Sequence, residues 1–344
     1  MNVAIDTNCI LPGKVGGIEN YCLGLIESLK VSCSSPAENL LLLTRPENHQ
    51  LFSRFTDART QTALLDRPVY HGQPIGNWAE FIRQHPFDGP GILENFQRQK
   101  SRVLMQHRID LLHCPGNTIN PLDLHLPIVL NLHDLQHRHF PQYFTPDELA
   151  NREKWWTASA HRADALIAAS KYVRDDLTDQ LHINRQKIFV TPDILESAYL
   201  HCPSSEFLSA IKTQFQLPRT FFIYPAACWP HKNHQRLIRA FLAADLPGVQ
   251  LVLTGGGQEA LSEWANHPSI RLLGRVQTDQ LIGLYHLATG LIFPSQHESW
   301  SIPVMEAMAC GCPVACSNVT SLPEQIGDSG LLFDPDQESQ ITTA

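Results

Sequence analysis

The run His297-Glu298-Ser299-Trp300-Ser301-Ile302-Pro303-Val304-Met305-Glu306-Ala307 holds two carboxylates, one just before a helical pattern and one inside it. Upstream, Leu291-Ile292-Phe293-Pro294-Ser295 reads as a buried strand, and downstream Gly311-Cys312-Pro313-Val314 turns into another. Glu298 is therefore expected at a strand's carboxyl end. Glu306 follows about two helical turns along, able to face the same space. The N–H groups around Ser301 and Ile302, at the helix start, are expected to be open and to suit an anionic group. Two glutamates at this spacing are ordinarily solvated helix surface.

The elements around them form a regular series. Val3–Ile5 reads as a strand, followed by the glycine-containing loop Pro12-Gly13-Lys14-Val15-Gly16-Gly17 and a helix from Ile18 to Leu29. Further strands read at 40–43, 110–113, 128–132, 165–168 and 188–190, with helices at 93–107, 147–161 and 171–181. Residues 192–218 break the rhythm with Pro192, Pro203 and Pro218 and only a weak helical pattern from Glu206 to Phe215. The alternation restarts at Phe221 and continues through strands at 250–253, 270–272, 291–293 and 314–316, including an expected helix from Gln258 to Asn266. The fold class is α/β, with two doubly wound, Rossmann-like domains of parallel strands. The first spans 1–191 and the second 219–344, joined by a linker at 192–218. Such sheets bind ligands at the carboxyl ends of their strands.

The glutamate run resembles the E-x7-E signature of retaining GT-B glycosyltransferases of family 4. Other segments resemble that family in the same order: Gly16-Gly17-Ile18-Glu19 its glycine-rich loop, His133-Asp134-Leu135 its His-Asp segment, Ala169-Ser170, His231-Lys232-Asn233 its phosphate-binding lysine region, Gly274-Arg275-Val276, and Gly330-Leu331-Leu332-Phe333. The resemblance implies two domains facing a cleft. It also implies transfer of a sugar from a nucleotide donor to an acceptor hydroxyl, with retention at the anomeric carbon.

By the same resemblance, Lys232 is the cation for the departing diphosphate. Lysine meets phosphate as a point charge, and positioned cations lower the barrier to charge development. Glu306 resembles the carboxylate that accepts from the ribose hydroxyls, Glu298 the one near the transferred sugar, and His133 a donor-sugar contact. Gly16 and Gly17, lacking Cβ atoms, allow close backbone approach to the diphosphate or the acceptor. Arg275, Val276, Ser301 and Ile302 complete the donor-binding set. The donor is expected mainly on the second domain and the acceptor, a glycan, lipid-linked or other hydroxyl compound, mainly on the first.

The chain departs from the family in three places. Ala226 stands where an arginine often precedes the lysine, leaving the second positive charge to His231 or Arg275. Ser299 and Ser301 replace glycines of the glutamate motif. The family normally continues through further helices, so the second domain is expected to be truncated at Ala344. A nucleotide-sugar epimerase and a catalytically silent GT-B-like binding protein are the rival readings.

Composition narrows the field further. With 344 residues, 26 Lys plus Arg and 34 Asp plus Glu, the net charge is −8, a poor match for a nucleic-acid binder. Nine cysteines without a CxxC pair read as reduced thiols. No signal-peptide pattern or ~20-residue apolar run is evident, so a cytoplasmic enzyme with at most peripheral membrane contact is expected. The basic helix face Gln97-Arg98-Gln99-Lys100-Ser101-Arg102 reads as solvated surface first, with contact to an anionic membrane surface as the lesser alternative. No metal or cofactor is expected. Asp334-Pro335-Asp336 reads as a proline turn, and neither the histidines at 133, 137 and 139 nor the cysteines at 310, 312 and 316 have zinc-ligand spacing.

Overall fold

The computed structural model describes residues 1–13, 17–32, 38–66, 69–70, 73–74 and 89–344. Contacts divide the chain into two units: Met1–Ala169 with Arg174–Ile194, and Ser170–Val173 with Leu195–Ala344. Each unit is built on one parallel sheet, an α/β arrangement of the Rossmann-like kind.

The first unit carries β1 (Asn2–Asp6), β2 (Asn39–Thr44), β3 (Thr60–Leu64), the short antiparallel ribbon β4 (Val69–Tyr70) and β5 (Gln73–Pro74), β6 (Leu111–Cys114), β7 (Ile128–Asn131), β8 (Ala165–Ala168) and β9 (Ile188–Val190). The order across its seven-stranded sheet is β3-β2-β1-β6-β7-β8-β9. The order reverses at β1, and crevices form at such reversals. Ile5, Ile10, Cys22, Ile26, Leu42 and Phe52 pack between sheet and helices.

The second unit carries β10 (Thr220–Pro225), β11 (Val249–Thr254), β12 (Ile270–Leu272), β13 (Gly290–Phe293), β14 (Val314–Ser317) and β15 (Leu331–Phe333), in the order β12-β11-β10-β13-β14-β15. Here the reversal falls between β10 and β13, which pair at Phe222↔Gly290 and Ile223↔Leu291. The strands are apolar nearly throughout because helices cover both faces, and Tyr224, Leu253 and Phe293 are fully buried. Residues 195–218 belong to this unit rather than forming a bare linker. Helix Ser205–Gln214 packs Phe207 and Ile211 onto helix Thr278–Leu287 at Gly283. The stretch 258–264 is a tight 3₁₀ turn broken at Leu261, not the α-helix its pattern suggests.

The exits of β10, β11 and β12 are stitched to one another. The Ala226 N–H donates to Thr254, Cys228 N–H to Gly256, and Gly255 N–H to Gly274. Gly255 has φ +128°, and a Cβ there would lie 2.2 Å from the Ala226 carbonyl oxygen. Gly255→Ala is therefore expected to destabilise the fold by on the order of 3 kcal/mol, read as a lowered midpoint in thermal or urea unfolding.

Candidate active site

Lys232 and Glu298 come together on the loops that leave the two strands flanking the reversal. Lys232 ends the 3₁₀ turn Pro230–Lys232, and Asn233 follows in the left-handed region at φ 61°. This turn is fastened at several points. The buried Tyr224 hydroxyl donates to the Lys232 carbonyl at 2.6 Å, Gln296 N–H donates to the His231 carbonyl, and Asn233 Nδ2 donates to the carbonyls of Pro294 and Pro335. Held in this way, Lys232 Nζ lies 2.5 Å from Glu298 Oε1 and 5.5 Å from the centroid of the Phe293 ring. The Glu298 side chain is 9% exposed and that of Lys232 17%, so each charge has given up much of its water and depends on the other. The Glu298 backbone is pinned as well. Its N–H donates to Thr320 Oγ1, and its carbonyl accepts from the Ser321 hydroxyl.

Glu306 has a different set of partners. It lies on helix Ile302–Ala309, almost fully buried, and accepts a 2.9 Å hydrogen bond from the Tyr285 hydroxyl. The Tyr199 hydroxyl faces the same carboxylate. Tyr285 also stands 3.2 Å from the Pro303 carbonyl, but a phenol carries one proton and the shorter contact takes it. Burial raises the Glu306 carboxyl to about 6, against the opposing effect of the two tyrosine hydrogen bonds.

The region around Ser301 differs from the expected open anion site. Ser301 is fully buried. Its N–H donates to Gln325 Oε1 at 3.0 Å, its carbonyl accepts from Gln325 Nε2 at 2.7 Å, and its hydroxyl caps the Val304 N–H. Pro303 has no N–H to offer, so Ile302 carries the first-turn donor that these bonds leave over. The serine that replaces a glycine is thus an N-cap, and its backbone is consumed by the protein itself.

Arg275 is exposed, and its guanidinium lies across the turn after β11, with Nε 3.0 Å from where a Gly256 Cβ would stand. Val276, beside it, is half-buried. His231 is buried under the Lys232 turn, edge-on to Trp229 with centroids 5.8 Å apart. In the first unit, His133 follows β7. Its N–H is bound by Asn117 Oδ1, and its Nε2 lies 2.8 Å from the Pro115 carbonyl. Gly17 opens helix Gly17–Ser32 and is exposed, whereas Gly16 lies outside the described residues. Sequence reasoning passed over Tyr199, Tyr285, Gln325 and the 60%-exposed Trp229. Among the described residues, no group of three or more His, Cys, Asp or Glu could hold a metal, and no helix is long and apolar enough to cross a membrane.

The arrangement supplies one ammonium, one paired carboxylate and one guanidinium around strand exits, which suits an anionic leaving group. Comparison with known proteins decides the family. Residues 219–344 match the family described as Glycosyl transferases group 1, and residues 55–194 match Glycosyltransferase Family 4. The chain belongs to the GT-B glycosyltransferases. It is 28% identical over 282 residues to O-antigen chain mannosyltransferase B of Escherichia coli, covering 78% of this chain and 72% of that one. It is 30% identical over 197 residues to the serotype-specific mannosyltransferase WbdA of Escherichia coli, a match covering 54% of this chain and 24% of that longer protein. Sucrose-phosphate synthase from Thermosynechococcus elongatus superposes with a TM-score of 0.75 at 18% identity, covering 100% of this glycosyltransferase and 88% of that chain.

The raised Glu306 carboxyl sets a sign for stability in this enzyme. Its folded value of about 6 exceeds the ordinary 4.5, so the folded state holds the proton more tightly. The stabilisation from this group is complete below the unfolded value and is lost as the pH rises through about 6. Glu306→Gln, which keeps the shape and one acceptor, is expected to be more stable than the parent at neutral pH by on the order of 2 kcal/mol. The two should converge as the pH falls toward 4.5, as followed by urea unfolding across pH.

Proposed function

We propose that this glycosyltransferase moves a mannosyl group from a nucleoside-diphosphate mannose to a hydroxyl of a growing glycan, with retention, in O-antigen-like polysaccharide assembly. The Lys232–Glu298 pair at the exits of β10 and β13 is the observation that carries this reading. In glycosyl transfer the bond between the anomeric carbon and the diphosphate oxygen breaks, and its electron pair leaves with the phosphate. An ammonium already fixed by Glu298 meets that growing charge without having to be ordered at the moment of reaction. Arg275 is the second cation of the proposal, since Ala226 supplies none and the glycine turn beneath the guanidinium keeps it at the strand exits. Glu306 takes the ribose hydroxyls with its remaining acceptor capacity. The sugar and the setting follow the names of the Escherichia coli mannosyltransferases. Retention follows the E-x7-E resemblance. The proposal includes no metal or cofactor, and it takes the enzyme to work in the cytoplasm or at a membrane surface.

The proposal is tested by NMR of the product formed from α-linked nucleoside-diphosphate mannose. An α-linked product is expected, and a β-linked one overturns retention. Lys232→Ala is expected to lose turnover by about 10²–10³-fold with its circular dichroism unchanged. Wild-type turnover in that variant removes the lysine from the chemistry.

A further inference from the structure

The proline turn Asp334-Pro335-Asp336 follows β15 at the edge of the second sheet, yet its bonds run to the exits of β10 and β13. Asp334 builds the turn. Its Oδ1 accepts from the Asp336 N–H at 2.8 Å and its carbonyl from the Gln337 N–H at 3.1 Å, while the proline ring presets the backbone between them. That leaves the Pro335 carbonyl and the Asp336 carboxylate for contacts elsewhere.

Both are used on the two loops that carry the ion pair. The Pro335 carbonyl accepts from Asn233 Nδ2 at 2.9 Å and from Arg236 Nη1 at 3.0 Å. Asp336 Oδ1 accepts from the same Nη1 at 2.7 Å and from Gln296 Nε2 at 2.9 Å. Nη1 has two hydrogens, one for each of these oxygens, and its longer 3.3 Å approach to Asn233 Oδ1 takes neither. Arg236 lies in helix His234–Ala243, four residues beyond Lys232, and Gln296 lies two residues before Glu298. One carboxylate oxygen therefore joins the segment carrying the ammonium to the segment carrying its counter-ion. The circuit closes where the Gln296 N–H meets the His231 carbonyl and Asn233 Nδ2 meets the Pro294 carbonyl.

As a source of stability this ion pair is weak. The Asp336 side chain is 61% exposed and that of Arg236 26%, and water screens such pairs. Its effect is on geometry, because it sets the spacing of two loops at once. A neighbouring pair, Arg239 with Glu338 at 2.7 Å, ties the same helix to helix Glu338–Thr343, and neither of its residues lies on those loops. We propose that Asp336 is a positioning residue for the reaction, holding Lys232 where Glu298 and the departing diphosphate meet it. It acts through the lysine and touches no reacting atom. The proposal rests on the glycosyl-transfer reading above.

Turnover of the full chain and its amide hydrogen exchange, followed by mass spectrometry, test this together. Asp336→Ala is expected to lower kcat by about 10-fold with the donor KM little changed. It should also speed exchange in 229–234 and 295–298 while circular dichroism stays the same. Asp336→Asn, which keeps Oδ1, is expected to retain most of the turnover. Glu338→Ala, which removes the neighbouring pair, should keep wild-type turnover and wild-type exchange in both segments. Adding Asp336→Ala to Lys232→Ala should cost nothing further, since the ammonium through which it acts is gone. The inference is overturned if Asp336→Ala keeps wild-type kcat or wild-type exchange, or if Glu338→Ala loses as much. It is equally overturned if Asp336→Asn loses as much as Asp336→Ala, or if the loss repeats in the Lys232→Ala background. Faster exchange in Asp336→Ala, in a protein that transfers no sugar from nucleoside-diphosphate mannose, overturns the reaction and leaves the brace standing.

Discussion

The contact between the Lys232 ammonium and the Glu298 carboxylate is what the second unit is built to hold. Adjacent parallel strands bring their exits to one edge, and the pairing of β10 with β13 fixes how far apart the two loops begin. A buried tyrosine, an asparagine in a left-handed turn and a run of main-chain bonds then remove the freedom the loops would otherwise have. Neither charge is favourable alone at its degree of burial, so removing either one leaves the other uncompensated. The same constraint explains why so much hydrogen bonding is spent on residues 230–233. A lysine on a loose loop would give up side-chain entropy each time a ligand arrived.

Most of this architecture was legible in the sequence. Apolar runs such as Leu40–Leu43 and Leu291–Phe293 could only be strands covered on both faces, and their alternation with amphipathic stretches required parallel sheets. The placement of Glu298 after a strand and Glu306 within a helix followed directly. Less visible were contacts made across long separations. Nothing near Glu306 announces Tyr199 or Tyr285, because hydrogen bonding between side chains far apart in the chain leaves no periodic trace. Edge strand β3, Thr-Gln-Thr-Ala-Leu, is too polar and short to stand out. The 258–264 stretch has helical spacing but follows a glycine turn fastened to two neighbouring strand exits, and its geometry breaks at Leu261.

Ser301 shows how a residue type can be read correctly and its role misjudged. A serine before a helix is a natural cap, and it does cap Val304. The sequence does not show that Gln325, 24 residues later, occupies both backbone groups of that same residue. Ala226 is a related case. Its missing charge looked like a deficit, yet the residue is buried, and its carbonyl oxygen lies 2.2 Å from where a Gly255 Cβ would stand.

The Gln325 amide treats Ser301 as a neighbouring strand would, giving one donor and taking one acceptor in a two-point clasp. A carboxylate of the same length could not do this, having no hydrogen to give. With the Glu298 carbonyl and N–H also bound to Ser321 and Thr320, the stretch from Glu298 to Ser301 is riveted at both ends. It is a fixed wall rather than a flap, so any movement that admits a bulky sugar nucleotide has to come from elsewhere in the enzyme.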